Sequence, residues 1–229
     1  MPEILLTALL WVVLVAAAIF FAVMGAVQTR RTRRLAHDAH EIELRFSHTD
    51  PFDLPMRYRS FALIRSGHSP MARNVAYGRQ DVWPVRCFDF RYEAGHGPRR
   101  VGRSYRVYVV ETAGELQPVV MWHERDREWT PLEAQPADGR IGPWAYKGSP
   151  NATDMLAEIC ADLADDGACM QTAGRALMLC LPAGGPARSD HSALQFCLHA
   201  ARRLDSWKNP ALPDEQQARG EANSSPEQR

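Results

Sequence analysis

The feature that most constrains this chain is an uncharged apolar run close to its N-terminus. Residues 4–27 read ILLTALLWVVLVAAAIFFAVMGAV, without one charged side chain. As an α-helix this run would be about 36 Å long, which exceeds the roughly 30 Å hydrocarbon core of a bilayer. Because a helix satisfies its own backbone hydrogen bonds in lipid, the run predicts a transmembrane helix over residues 4–27, preceded by a short stub at 1–3.

Two other interpretations of this run are a cleaved signal peptide and a buried helix of a soluble domain. A signal peptide has a positively charged start and an apolar core of about 7–15 residues. Here the only charged side chain before the run is Glu3, and the run is longer than such a core. A buried helix of this length is unusual in so small a domain. We therefore expect the run to remain in the membrane as a single span.

The orientation of the span follows from arginines that come directly after the run. No basic side chain precedes the run, and four follow it within two helical turns: Arg30, Arg31, Arg33 and Arg34. Under the positive-inside rule, the arginine-bearing end of the span stays in the cytoplasm. The sequence therefore predicts a single-pass protein of the inner, cytoplasmic membrane whose C-terminal domain is cytoplasmic.

The cysteines agree with a reducing compartment. They are odd in number, form no Cys-x-x-Cys pair and stand mostly in apolar runs: Cys87, Cys160, Cys169, Cys180 and Cys197. A secreted domain of this size would more often carry an even, regularly spaced set. We expect buried thiols rather than disulfides or a reactive nucleophile.

The rest of the chain divides into three parts by composition. Residues 28–50 are predicted to be a basic juxtamembrane helix or linker, with an amphipathic helix over 30–47 that ends before Asp50-Pro51. Residues 51–207 have the apolar content of one folded domain. Residues 208–229 contain three prolines, several Gln and Glu and no aromatic residue, so we expect a disordered tail.

The first half of the domain has the patterns of β-structure. Residues 85–92 alternate in character and place three aromatic side chains on one face: Phe88, Phe90 and Tyr92. We also expect a short strand at 61–64, a turn at 66–70, a loop at 93–102 and further strands at 104–112 and 119–123. Consecutive strands joined by short polar links favour an antiparallel meander.

The second half has helical periodicity on both sides of one more β segment. The pattern predicts a helix over 156–163, capped at Asn151 or Thr153 and ended at Gly167, then a hairpin of 170–172 and 175–181 that turns at Ala173-Gly174. A final helix begins after Ser189, with its apolar stripe at Leu194, Cys197, Leu198 and Ala201. Strands first and helices later indicate an α+β fold, with a mainly antiparallel sheet and two packed helices.

Several short motifs resemble a family of uncharacterised bacterial proteins that have an N-terminal transmembrane helix and a small α+β domain of unknown function. The motifs are Asn74-Val75-Ala76-Tyr77-Gly78, Phe88-Asp89-Phe90-Arg91-Tyr92, Pro118 at the start of a strand, and the segment 177–181 before a terminal helix. Family members tend to have Phe-Asp-Tyr where this chain has Phe88-Asp89-Phe90, so one hydroxyl is missing here. The resemblance implies architecture alone, because no activity is assigned to the family.

Charge is divided unevenly along the chain, although its formal net value is zero. Eleven arginines and three acidic residues lie from Arg57 to Arg106, whereas residues 107–229 contain eleven basic and eighteen acidic residues. Four arginines near the predicted loop are candidates for contact with anionic lipid headgroups: Arg99, Arg100, Arg103 and Arg106. The alternative is that such arginines pair with the acidic helices of the second half. Nucleic-acid binding is not expected, because the chain has no recognisable RNA- or DNA-binding motif.

The best cluster of acidic and basic groups follows the strand at 119–123. His123 stands beside Glu124 and near Asp126, an arrangement in which the imidazole could transfer protons in a hydrolytic reaction. No nucleophile motif accompanies it. The competing interpretation is a histidine on the surface of an edge strand.

Two other patterns suggest ligands at first sight. His37 and His40 could contact one metal ion from a helix face, but no third and fourth ligand is apparent, so no metal is expected. The glycines at 95–97 and 184–185 lack the remaining residues of a nucleotide-binding motif and are interpreted as turns. No cofactor is expected.

The function that these features favour is a binding or scaffolding module beneath the membrane. Its partners would be anionic lipid headgroups or another membrane-associated protein. A homodimer could also form through a stripe of small residues in the span: Ala18, Ala22 and Ala26. The alternative from another class is a membrane-tethered hydrolase that uses His123 and neighbouring carboxylates. A third is an envelope protein whose domain faces outward, which requires the opposite orientation of the span.

Overall fold

The apolar run is part of one continuous helix, α1 (Pro2–Glu41). The structure is a computed structural model that describes residues 2–95, 97–123, 136–149, 156–159, 168–183 and 189–208. A helix of this length extends for about 60 Å. By length and composition α1 can cross a membrane, and its most apolar part is not buried against the domain. The helix predicted over the apolar run is therefore confirmed.

The end of α1 differs from the prediction. Glu43 adopts a left-handed backbone conformation with φ 57°. Its N–H donates to the carbonyl of His40 at 3.0 Å, and the N–H of Leu44 donates to the carbonyl of Ala39 at 2.8 Å. These two hydrogen bonds form a Schellman motif, which ends the helix at Glu41. The predicted extension of the helix to residue 47 is wrong, because the chain beyond the motif is a strand.

Within the described residues, seven antiparallel strands form one sheet. They are β1 (Arg45–Thr49), β2 (His68–Gln80), β3 (Trp83–Ala94), β4 (Val101–His123), β5 (Gly139–Ile141), β6 (Trp144–Gly148) and β7 (Cys169–Pro182). The first four pair in chain order as an antiparallel meander. The mainly antiparallel sheet is thus as predicted, although β1 and β2 are not among the predicted strands. Because β7 pairs with β4 along most of its length, β3 and β6 lie at opposite ends of the other edge of β4.

Long strands replace several of the predicted short ones. The segments predicted as strands at 104–112 and 119–123 are both parts of β4, and the predicted loop at 93–102 is shortened by the ends of β3 and β4 around a 3₁₀ turn at Gly97–Arg99. The predicted hairpin at 170–181 is wrong, because the whole segment is the single strand β7. A register shift of the β4–β7 pair lies at Gly174, whose φ is +56°. This glycine therefore lies opposite a bulge of β4, which carries the additional residues.

The two faces of the sheet are covered by different elements. One face packs against the last turns of α1, the helical segment 156–159 and the C-terminal helix α4 (Asp190–Lys208). The other face packs against two short helices, α2 (Leu54–Arg57) and α3 (Ala62–Arg65). The strand predicted at 61–64 and the turn predicted at 66–70 are wrong, because α3 and the start of β2 occupy them. Helices on both faces of an antiparallel sheet confirm the α+β fold.

The C-terminal helix follows its prediction closely. The N–H of Ser192 donates to Oγ of Ser189 at 3.1 Å, so Ser189 is the N-cap. The predicted apolar stripe is buried against the sheet: Leu194, Cys197, Leu198 and Ala201. The caps predicted for the helix at 156–163, and all of the predicted tail beyond Lys208, lie outside the described residues.

Candidate functional site

A buried ionic cluster joins α1, three strands of the sheet (β2, β3 and β4) and α4. It consists of Arg31, Asn74, Asp89, Arg106, Tyr108 and Asp190. Arg106 lies at its centre, and its side chain is only 8% exposed. Its Nη2 and Nε donate to the two carboxylate oxygens of Asp190 at 2.5 and 3.3 Å, a bidentate arrangement. The cluster therefore fixes the first turn of α4 against the first half of β4.

The β2–β3 pair supplies the second carboxylate. Asp89 lies 3.4 Å from Nη1 of Arg106, and it accepts a hydrogen bond of 2.9 Å from the side-chain amide of Asn74. Asn74 lies at a register shift of β2 and has φ 50°, a conformation that asparagine adopts more readily than most residues. This bulge also turns the carbonyl of Asn74 toward Arg106, which donates to it at 3.0 Å.

Helix α1 enters the same cluster through Arg31. Its Nη2 donates to Asp89 at 3.0 Å, and its side chain is 40% exposed. Two further residues of α1, Leu35 and Ala39, are buried against the domain. One of the four arginines predicted to mark the cytoplasmic end thus attaches the span to the domain, whereas Arg30, Arg33 and Arg34 are exposed.

Electrostatics keep the centre of the cluster charged. Burial by itself would lower the pKa of Arg106, but the charges and hydrogen bonds of Asp190 and Asp89 outweigh burial and raise the pKa above its usual value. The Tyr108 hydroxyl donates to Asp190 at 2.7 Å, and burial together with the charge of Asp190 raises the pKa of Tyr108. The cluster therefore acts as a fixed charge array near neutral pH.

A cavity of about 440 Å³ opens beside the cluster. It lies between α1 and the parts of β2 and β3 nearest to Gln28, and its basic lining comes from Arg31, Arg73 and Arg91. Gln28, the first residue after the apolar run, also lines it. The lining of the cavity next to the apolar run is thus polar and rich in arginine.

A second cavity, of about 740 Å³, lies at the other end of the β2–β3 pair. Its lining includes Glu111, which is bound by Arg86 at 2.5 Å, by the Tyr58 hydroxyl at 2.9 Å and by Arg57 at 3.0 Å. Burial by itself would raise the pKa of Glu111, but these three partners outweigh burial and lower it. This carboxylate is therefore a structural anion that holds α2 to the sheet.

The histidine predicted as a catalytic candidate is buried rather than on the surface. His123 is 5% exposed, and its ring meets that of Trp144 edge to face at a centroid distance of 5.4 Å. It lines neither of the cavities described above. Glu124 and Asp126 lie outside the described residues.

The four arginines predicted to contact anionic surfaces occupy different environments. Arg99 and Arg100 are exposed, and Arg100 pairs with Glu93 at 3.3 Å. Arg103 is half-buried. Arg106 is buried in the ionic cluster, so its prediction as a surface contact is wrong: residue 106 faces α4, and its charge is met by two carboxylates.

The remaining predicted ligands stay apart from this cluster. His37 is exposed and lies 3.4 Å from Glu41, one turn further along α1, and His40 is exposed as well. No group of three or more metal-ligating side chains occurs among the residues that the structure describes. Four cysteines are buried free thiols, as predicted: Cys87, Cys169, Cys180 and Cys197. Cys160 lies outside the described residues.

Sequence reasoning missed the two acidic members of the cluster. A charged residue inside the apolar stretch around Arg106 was a usable signal, because a buried guanidinium needs a partner. Asp190, directly after the helix cap, was the other. The pairing itself joins residues 84 positions apart and depends on the fold.

Comparisons with known proteins support the architecture. No family model matches the chain, and no curated protein matches it. Among solved structures, the chain is similar to the crystal structure of the mycobacterial trehalose monomycolate transport factor A, TtfA. The TM-score is 0.53 at 16% sequence identity, and the match covers 80% of this chain and 98% of that chain. At this identity the likeness shows a shared fold, and it agrees with a resemblance to bacterial proteins of this architecture.

Proposed function

We propose that this chain is a single-pass protein of the inner membrane whose cytoplasmic α+β domain is a binding or scaffolding module. The observation that carries this proposal is the docking of α1 onto the domain. The helix runs without a break from the apolar span to the buried residues Leu35 and Ala39, and Arg31 binds Asp89 at 3.0 Å. A domain fixed in this way presents the same surface to the membrane plane at all times, which suits a protein that positions a partner there.

The cytoplasmic placement is supported by two independent features. Four arginines follow the span and none precedes it, which favours retention of that end in the cytoplasm. Four cysteines are buried as free thiols, although Cys169 and Cys180 belong to the same packed cluster. Free thiols in a stable core are typical of a reducing compartment.

The likeness to TtfA suggests a more specific role for the domain within this proposal. That protein is named as a transport factor for trehalose monomycolate, an amphiphile. An accessory role in the handling of an amphiphile at the membrane is consistent with a domain whose cavity of about 440 Å³ adjoins the span. The hydrolase alternative has no comparable support among the described residues, because His123 is buried against Trp144.

Reporter fusions to the full chain test the placement of the domain. A green fluorescent protein at the C-terminus should fluoresce, whereas alkaline phosphatase fused at the same position should be inactive, because it folds only outside the cytoplasm. Active phosphatase would show that the domain faces outward and would overturn the orientation.

Purification from gently solubilised native membranes tests the role of the domain. A membrane protein recovered in a stoichiometric ratio with the full chain supports a scaffolding module. Recovery of the chain alone, with ester hydrolysis that is abolished by His123→Ala, would replace the proposal by the enzyme alternative.

A further inference from the structure

The cavity beside the ionic cluster lies at the level of lipid headgroups if α1 spans the bilayer. Gln28 and Arg31 line it, and they are one and four residues beyond the last residue of the apolar run. At 1.5 Å per residue, Arg31 is about 6 Å beyond the hydrocarbon edge. The headgroup layer is about 5–7 Å thick on each side of the bilayer. The cavity therefore opens where phosphate groups of the membrane are found.

Two arginines of this cavity stand close together on one face of the sheet. Arg73 of β2 pairs in register with Asp89 of β3, and Arg91 follows Asp89 by two residues. Such diagonal neighbours on a sheet lie roughly 7 Å apart. The guanidinium of Arg91 lies over Gly102 of β4, where an added Cβ would be 3.2 Å from Nη2. Both arginines therefore add positive charge to the lining of the same cavity.

The carboxylates around the cavity are already engaged. Asp89 binds Arg31 and Arg106, and Glu93 binds Arg100 at 3.3 Å. Neither Arg73 nor Arg91 forms an ion pair with any residue in the described part of the chain. With Asp190 included, five arginines of this region face three carboxylates: Arg31, Arg73, Arg91, Arg100 and Arg106. The region has a net positive charge at the mouth of a cavity.

We infer that this cavity binds the phosphate of an anionic phospholipid headgroup, with Arg73 and Arg91 as the binding residues. The inference rests on the span proposed above, but not on which side of the membrane the domain occupies. Guanidinium groups match phosphate oxygens in geometry and charge. A phospholipid, rather than a soluble phosphate, is favoured by the height of the cavity and by Met71, an apolar residue of the lining that is 44% exposed.

Native mass spectrometry of the full-length protein tests this site. The protein is released from mixed micelles that contain equal amounts of phosphatidylglycerol and phosphatidylcholine, and the retained lipids are counted. The test variant is Arg73→Gln/Arg91→Gln. The matched control is Arg45→Gln/Arg59→Gln, which removes the same charge from two exposed positions that do not line this cavity. Both variants should melt at the wild-type temperature in lipid-free micelles.

The wild type and the control should retain phosphatidylglycerol in preference to phosphatidylcholine. Retention should fall about fivefold for each arginine removed from the cavity. An equal loss of phosphatidylglycerol retention in both double variants would show only a general attraction between basic side chains and anionic lipid, and would overturn the inference. Equal retention of the two lipids by the wild type would also overturn it.

A second arm separates a lipid from a free anion. Phosphatidylglycerol should raise the melting temperature of the wild type and not of the cavity variant, whereas 10 mM inorganic phosphate, a concentration chosen for the test, should leave both unchanged. Stabilisation by inorganic phosphate without stabilisation by the lipid would overturn the lipid assignment. Because micelles have no sides, a failure here is distinct from a failure of the reporter-fusion test.

Discussion

The carboxylate of Asp190 accepts two hydrogen bonds from the guanidinium of Arg106, at 2.5 and 3.3 Å, and both side chains are less than a tenth exposed. Asp190 is the first residue of α4, directly after the Ser189 cap. A carboxylate in the first turn of a helix is also stabilised by the helix dipole. The start of α4 is therefore fixed by a charge pair as well as by apolar packing.

Loss of this carboxylate should be costly. Asp190→Ala leaves Arg106 charged and buried with Asp89 as its remaining carboxylate, and removal of one partner from a buried pair typically costs about 3–5 kcal/mol. Unfolding of the full chain in detergent measures the loss. Asp81→Asn is the comparison variant, because Asp81 forms an exposed ion pair with Arg202 of α4. Loss of this exposed pair should lower the free energy of unfolding by less than about 1 kcal/mol. Similar losses in the two variants would contradict the role given to the ionic cluster.

The attachment of the span to the domain should depend on Arg31. Arg31→Gln removes the charged hydrogen bond to Asp89, so the segment between the span and β1 should open more often. Limited trypsin digestion of the full chain in micelles should then cut within residues 30–45 several times faster than in the wild type. Arg33→Gln is the matched control, because Arg33 is exposed. Unchanged digestion of Arg31→Gln would show that apolar packing alone holds α1.

The Glu111 carboxylate should make stability depend on pH. Because its folded pKa lies below the ordinary value of 4.5, its contribution is fully present above that value and is lost as the pH falls through the folded pKa. Glu111→Gln should therefore lower the melting temperature at pH 7, where Arg57 and Arg86 lose their anionic partner. The difference from the wild type should shrink below pH 4.5. A difference that is constant from pH 3 to pH 8 would contradict this account.

The buried thiols should be inert in the folded protein. Burial raises the pKa of Cys169 and of Cys197 to about 12, and it raises the pKa values of Cys87 and Cys180 as well. In a Cys160→Ser variant, iodoacetamide at pH 7.5 should label none of the four thiols within an hour and all four in denaturant. Rapid labelling of one thiol under native conditions would indicate a local opening near it.

The predictions made from alternation in β3 and from the cap of α4 are correct because each pattern has one local structural cause. Phe88, Phe90 and Tyr92 are all buried on one face of β3, since a strand sends every second side chain to the same side. Ser189 caps α4 through its own side chain. These signals depend on a few consecutive residues and need no knowledge of the rest of the fold.

The errors arise where one local signal has two structural causes. Gly174 suggests a hairpin turn, but here its positive φ lies within the continuous strand β7, opposite a bulge of β4. The stretch that leads to Pro118 suggests a break between strands, whereas β4 continues through it with a shift of register. The short apolar segment at 61–64 forms a helical turn, and its length is too small to distinguish the two structures.

The candidate site could be predicted less well than the fold. Arg106 is predicted as a candidate for contact with anionic lipid because it belongs to a basic segment, with pairing to the acidic second half of the chain as the alternative. For this residue the structure shows the alternative. Its burial depends on carboxylates from β3 and α4, which only the assembled sheet brings within reach. Arg73 and Arg91 became neighbours through the β2–β3 register, which includes two shifts that the sequence does not announce.

Because α1 is one continuous helix, the number of residues between the apolar run and the domain determines the direction in which the domain faces. Each residue of an α-helix adds about 100° of rotation and 1.5 Å of rise. One alanine inserted before Gln28 would turn the whole domain by more than a quarter of a circle relative to the lipid-facing side of the span. An insertion of seven residues would restore nearly the original bearing and carry the domain about 10 Å further from the bilayer. Rotation and height can thus be varied separately in this protein.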